Sequence, residues 1–542
     1  MMVEGPVELS RSYRPPPAGA RRIGDARLTD EVEVTITLRG PQMPDASSVT
    51  GLATDLETFE ARYSADAADA AKVSDELEKL GLHVYDVSLV TRSMHVRGTV
   101  QQLNNAFQVT LGTYQSDDQG QFRGREGCIS VPAPLAGIVT GVFGLDDRQM
   151  AQRKNAPVQA ATAARSPADL EALYQFPPGG AAGQDIVIAE FGGTYSASDV
   201  KTFCQEYDLA MPAITLLTLG QGADQVLPDY TSELMMDVEI IAALCPAANI
   251  SVYFVRFNEK GWIDLLDAVV NTEPLPPVAL SVSYGRAEDS PDWSGSAVTE
   301  INQRLQSVAM LGVTVCAASG DDGAGDQMND GRAHVNFPAS SPFVLSVGGT
   351  MLTGTPPAEV VWWAAPGDKS QGGAGGSTGG GVSTIFPRPA WQTVNVDSLN
   401  AGSMDGRVVP DVAALAGQPY YRLTIGGQDS QGGGTSAAAP LWAALLARIS
   451  AGLPDPSQRR FLAPLLYAAA ADGRPVGATV CTDITSGDNH SPGVPQGYVA
   501  EVGYDAVSGW GTPLGTPIAR LLSQPGGNGA PGALPDDSTA VI

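Results

Sequence analysis

The sequence predicts an α/β protein of two domains: a small α/β sandwich with antiparallel strands, then a larger domain built on a parallel sheet. Three observations carry this. At 542 residues the chain is too long for one small core. Residues 167–524 alternate strand-like and helix-like patterns, as the crossovers of a parallel sheet require. A stretch at 151–166, rich in Ala, Gln and Arg and without apolar periodicity, separates that region from residues 1–150 and reads as an exposed linker.

In residues 1–150 the alternating run Glu31-Val-Glu-Val-Thr-Ile-Thr-Leu38 predicts a strand. Helices follow between Thr58 and Leu80, strands at Val84–Leu89 and Ser93–Val96, a helix at Val100–Phe107 and a strand at Gln108–Tyr114. In the larger domain, Gly312-Val-Thr-Val-Cys-Ala317 reads as a buried strand, and Leu441-Trp-Ala-Ala-Leu-Leu-Ala-Arg-Ile449 as a buried helix. Residues 525–542 are rich in Gly, Pro and Asp and are predicted to be disordered. The 62 glycines and 40 prolines suit a large enzyme with many loops.

With 59 acidic against 32 basic residues the formal charge is -27, which argues against a nucleic-acid or anionic-membrane partner. No run of about 20 apolar residues could span a membrane. The first residues lack the apolar core of a secretory signal. Five cysteines, at 128, 204, 245, 316 and 481, form neither a CxxC pair nor a metal cluster. Cys245 and Cys316 sit in apolar runs and read as buried thiols; a Cys204–Cys245 disulfide is left open.

The segment Gly432-Gly-Gly-Thr-Ser-Ala-Ala-Ala-Pro440 sets Ser436 between a glycine turn and an apolar helix. There its Oγ would meet free N–H groups and the positive end of the helix dipole, which favour a developing oxyanion. Ser436 is the candidate nucleophile and needs a base. None of His83, His95, His334 and His490 has the His-Gly-Thr context of a subtilisin-type base. Carboxylates offer another. In the helical run from Asp229 to Pro246, with a Ser/Thr cap expected at its start, Glu233 and Asp237 stand at i and i+4 and project from one face, close enough to share a proton.

Together with further segments, these motifs resemble the sedolisin family of serine-carboxyl peptidases, in its kumamolisin-like branch. The segments are Gly192-Gly-Thr-Tyr195, Ala318-Ser-Gly-Asp-Asp-Gly323, Ser377-Thr-Gly-Gly-Gly-Val-Ser383, Phe386-Pro-Arg-Pro-Ala-Trp-Gln392 and Val409-Pro-Asp-Val-Ala413. The resemblance implies a subtilisin-like catalytic domain with a parallel central sheet, preceded by a small ferredoxin-like α/β pro-domain that assists folding and inhibits. It implies a zymogen that processes itself in the linker, an acyl-enzyme mechanism, polypeptide substrates, a monomer and an extracellular site of action. Ser436 would attack, Glu233 would take and return the proton, Asp237 would orient Glu233, and Asp321 would complete the oxyanion hole. A carboxyl can donate to an oxyanion only when protonated, so these roles imply activity at acid pH.

Family members extend the carboxyl network with an acid and an aromatic, here Glu190 and Tyr284; one member of the kumamolisin-like branch carries tryptophan at the latter. The resemblance also implies one structural Ca²⁺, held by the Asp483 and Asp505 carboxylates and the carbonyls of Ile484, Glu501 and Gly503, an oxygen set that calcium requires. Asn336 stands where some members place an acid that could attract a basic substrate side chain. Two alternatives are a His-dependent subtilisin-type protease and a catalytically silent binding scaffold.

Overall fold

The computed structural model describes residues 5–117, 119–150, 164–223, 227, 230–328, 330–364, 376–492 and 494–523, with the backbone of 152 and 153. Most of the predicted linker and the predicted tail at 525–542 lie outside the described residues.

The first domain is a four-stranded antiparallel sheet in the spatial order His83–Ser88, Ser93–Thr99, Glu31–Leu38, Val139–Phe143. In chain order this is second, third, first, fourth, with helices Ala67–Lys79 and Val100–Phe107 in the two crossovers, the βαββαβ arrangement of ferredoxin-like folds. Each helix starts on a polar cap: Asp66 accepts from the Ala68 N–H, and Thr99 and Gln102 form a reciprocal capping box. The expected strand at Gln108–Tyr114 begins later, at Gly112, because Gln108 is left-handed (φ 52°) and closes the preceding helix.

Alternation along Glu31–Leu38 divides the strand between two jobs. Val32, Val34, Ile36 and Leu38 enter the domain's own core with Val73, Leu77 and Leu103. Glu33 and Thr35, on the opposite face, dock on the second domain's helix Glu259–Val270. Lys260 Nζ lies 3.0 Å from Glu33, and Thr35 Oγ1 donates to Asp264 at 2.8 Å. One turn on, Asp267 accepts from Ser93 Oγ at 2.5 Å and pairs with Arg304 at 2.7 Å. Positions 260, 264 and 267 share one helix face, so the contact is a polar ladder.

The second domain is built on an eight-stranded sheet ordered Ala213–Leu219, Asn249–Val255, Asp185–Glu190, Ala279–Val282, Thr314–Ala318 and Leu345–Thr353, with Ala358–Val361 and Val412–Leu415 both on the last. All pairings are parallel except that of Ala358–Val361. Its central strands, such as Ile186–Ala189 and Ala279–Val282, are buried on both faces, which explains their unbroken apolar runs. After Asp185–Glu190 the chain first builds one side of the sheet and then, from Ala279, the other. The carboxyl ends of Asp185–Glu190 and Ala279–Val282 therefore flank a topological switch point, where open α/β sheets place their sites. Among the described residues no helix is long and apolar enough to cross a membrane.

Candidate active site

Two buried helices and two strand ends converge at that switch point. Helix Thr435–Ala451 starts after Gly434, whose φ of +97° is a conformation that favours glycine, and so turns Ser436 into the first helical turn. Every residue from Thr435 to Ser450 is buried, which accounts for the run of Ala and Leu. Helix Thr231–Leu244 packs beside it and is buried from Glu233 onward. The expected Ser/Thr cap is absent: Tyr230 holds the N-cap position without a side-chain cap, and Thr231 Oγ1 instead accepts from the Thr194 N–H at 3.1 Å.

Glu233 and Asp237 are both fully buried on this helix. Asp237 Oδ2 accepts from Ser283 Oγ at 2.6 Å, and Ser436 Oγ donates to the Ser283 carbonyl at 3.3 Å. Ser283 thus bridges the acid helix and the serine helix. The sequence reading did not single it out, although its place just after the strand Ala279–Val282 is a signal that could have.

Glu190, at the end of the neighbouring strand, accepts from Tyr284 Oη at 2.8 Å. Phe191, Phe257 and Tyr230 pack around Tyr284, with ring centroids 5.0, 5.9 and 6.1 Å away, and keep water out. Burial pushes the Glu190 carboxyl well above the usual range, and the Glu233 charge adds to this. Asp237 is likewise raised by burial, then by Glu233 and Glu190. Three carboxyls in one dry pocket cannot all ionise, so protons are shared.

Asp321 approaches from the loop after Thr314–Ala318. It accepts from the Thr435 N–H at 2.9 Å and from Thr435 Oγ1 at 2.7 Å, which ties it to the first turn of the serine helix. Gly320 before it has φ +117°, and an added Cβ at Gly379 would come 2.1 Å from the Ser319 carbonyl, so the loop sits tightly on the 377–381 segment. The structure brings Glu233, Asp237, Asp321 and Ser436 together, with Glu190 and Tyr284 beside them.

The histidines are elsewhere. His334 is held between Asp289 and Asp330, His490 contacts Asp488, His95 lies near Asp86, and His83 is exposed. All five cysteines are unpaired, with Cys245 and Cys316 buried, so the Cys204–Cys245 bridge is not formed.

At the C-terminal loops Asp483 Oδ2 accepts from the Gly503 N–H at 2.8 Å. Asp505 accepts from the N–H groups of Glu501, Val507 and Ser508. The sequence-predicted metal residues therefore share one loop cluster. Burial raises the Asp505 carboxyl to about 6, a cost that a bound cation would remove.

Residues 18–148 match the pro-kumamolisin activation domain, and residues 236–503 match the subtilase family. The chain is 35% identical to kumamolisin from Bacillus sp. (strain MN-32) over 91% of its own length and 89% of that protein. It is 28% identical to tripeptidyl-peptidase sed5 of Aspergillus fumigatus, over 93% and 95%. The solved structure of Pseudomonas sedolisin, a serine-carboxyl proteinase with two molecules of pseudo-iodotyrostatin, superposes with a TM-score of 0.57 at 24% identity, covering 67% of this chain and 99% of that one, and supports the fold. The likeness to kumamolisin along nearly the whole chain and the activation domain ahead of a subtilase domain give one conclusion: this chain belongs to the sedolisin family of serine-carboxyl peptidases, in its kumamolisin-like branch.

Proposed function

We propose that the chain is an acid-active endopeptidase, made as a self-processing zymogen, that cuts peptide bonds through Ser436, Glu233 and Asp237. The observation that carries this is the meeting of a helix-initiating serine with a buried carboxylate pair at the switch point, while all four histidines lie elsewhere. Ser436 Oγ attacks the scissile carbonyl carbon as Glu233 accepts its proton; the proton passes to the leaving amine, and water then hydrolyses the acyl ester. Asp237, held by Ser283, serves as the orienting partner of Glu233. Asp321 supplies the oxyanion donor when protonated. A carboxyl base works best near its own titration range, which places the optimum in acid.

The Asp483 and Asp505 carboxylates with the carbonyls of Ile484, Glu501 and Gly503 would hold one Ca²⁺, whose charge ties two loops together. The oxygen donor set and the buried Asp505 support this. We further take the enzyme to act outside the cell as a monomer on polypeptides, a reading that rests on family likeness and is checked by secretion assay and size-exclusion chromatography.

The test of the mechanism is peptide hydrolysis from pH 3 to 8 by the wild type, Ser436→Ala and Glu233→Gln. An acid optimum that both variants abolish supports the carboxyl base. A neutral optimum untouched by Glu233→Gln would return the His-dependent alternative.

A further inference from the structure

The helix that carries Glu233 and Asp237 holds a third wholly buried carboxyl, Glu239, which the mechanism above does not use. At about 100° per residue it stands roughly 200° around the helix from Asp237, on the opposite face. Its Oε2 accepts from the Thr424 backbone N–H at 2.8 Å, and its Oε1 has no hydrogen-bond partner among the described residues. A buried carboxyl with one oxygen unpaired costs stability, which an apolar side chain of similar size would not.

Thr424 lies in a hairpin, Tyr421–Ile425 paired antiparallel with Gln428–Gly432. Gly426 and Gly427, with φ of 61° and 71°, make its tight turn, and their N–H groups both donate to Asp199, at 2.8 and 3.0 Å. Asp199 is buried in the first turn of helix Ala197–Glu206, which packs on the hairpin beside the acid helix. Each helix thus holds the hairpin by one carboxyl, Glu239 on the strand and Asp199 at the turn. The second strand ends at Gly432 and leads through Gly433 and Gly434 into Thr435 and Ser436. A Cβ added at Gly432 would come 2.7 Å from Met236 Sδ, on the acid helix, and one at Gly433 would come 2.3 Å from the Ala416 carbonyl oxygen. The chain between hairpin and nucleophile therefore has no slack to absorb a shift of the hairpin. One helix sets both partners of the proton transfer, Glu233 directly from one face and Ser436 through the hairpin from the other.

We propose that Glu239 is a positioning residue for the reaction: it fixes the hairpin 421–432 to the acid helix and so keeps Ser436 Oγ aligned with Glu233. This rests on the Ser/Glu/Asp reading above. Burial pushes the Glu239 carboxyl up to about 8, against the pull of the Thr424 N–H and with the Asp199 charge adding to it, so Glu239 is neutral across the acid range. Asp199 and Cys204, both on helix Ala197–Glu206, are the titratable groups near it. Glutamine keeps the neutral charge and the acceptor oxygen, whereas leucine fills the space and loses the acceptor.

Full-length wild type, Ser436→Ala, Glu239→Gln, Glu239→Leu and Asp199→Ala are held at about pH 4 until intact mass is constant. In the same samples kcat and KM are measured on a peptide drawn from a mixed library, and amide hydrogen exchange is followed over residues 421–432. Glu239→Leu should lose about tenfold to hundredfold in kcat with KM within about twofold of wild type, because the defect is one of alignment, and its hairpin amides should exchange faster. Glu239→Gln should restore both readouts. Asp199→Ala should show the same pattern in smaller measure. A Glu239→Leu that is folded by near-UV circular dichroism and has wild-type kcat overturns this proposal alone, as does a Glu239→Gln as impaired as Glu239→Leu. Should Glu239→Leu not fold, wild-type kcat in Asp199→Ala overturns it. A wild type as inert as Ser436→Ala on the whole library overturns the Ser/Glu/Asp reading and this one with it.

Discussion

At the scale of single residues, the site turns on where protons rest among Glu190, Glu233 and Asp237. Glu190 and Asp237 have folded-state affinities for protons raised by burial. Each therefore favours the folded state most when protonated, and that contribution is lost as pH rises from the ordinary carboxyl range through the raised one. Glu190→Gln, which cannot ionise, should gain thermal stability over the wild type at pH 7, with the gain shrinking toward pH 4; equal differences at both pH values would show that Glu190 does not carry this linkage. Glu233→Gln and Asp237→Asn should lower kcat/KM by roughly 10²–10⁴ with near-UV circular dichroism unchanged, as for a lost general base or its orienting partner. Tyr284 donates a hydrogen bond to Glu190, so Tyr284→Phe should displace the pH profile, measured as kcat/KM from pH 3 to 6, more than it changes the maximum.

At the scale of elements, the serine is placed by its turn as much as by its helix. Gly434 at φ +97° precedes Thr435, and Thr435 both begins the helix and holds Asp321. Gly434→Ala puts a side chain on strained backbone and should cost about 1–3 kcal/mol in urea unfolding, with loss of turnover. The acid helix runs Thr231–Leu244, inside the span read from the sequence. Its Glu233/Asp237 spacing was legible, but an amphipathic face was not there to read, because neighbours cover the helix on all sides. The strand predicted to start at Gln108 failed for a local reason, a left-handed helix cap that composition does not announce.

At the scale of the whole molecule, the two domains meet through charges whose pairing depends on pH. Burial alone would raise the Glu33 carboxyl, but the Lys260 charge and hydrogen bonds from Tyr85, Lys260 and Arg97 draw it below the usual range. A lowered carboxyl adds to docking above the ordinary value near 4.5 and loses that contribution as pH falls through its lowered one. Affinity of the separated pro-domain for the Ser436→Ala catalytic domain, followed by titration calorimetry, should therefore fall below about pH 4.5, and Glu33→Gln should flatten that dependence. The calcium reading makes an opposite demand. Asp505, raised to about 6 by burial, is penalised when ionised without a cation. Chelation should thus lower the unfolding temperature by a few degrees at pH 7 and much less at pH 4, and a chelator without effect at either pH would remove the metal from the account.

An α/β organisation, a serine at a helix start and a pair of carboxyls on one helix are legible in the residues alone, because each is written in local spacing: period two in strands, i and i+4 on a helix, glycine before a turn. The folded chain adds that Ser283 joins the two helices, that Tyr284 bonds Glu190 and that the histidines lie elsewhere. Those contacts join residues tens to hundreds of positions apart. They exist because a parallel sheet gathers the carboxyl ends of distant strands at one edge and excludes water there, and local sequence patterns carry no record of which side chains will meet.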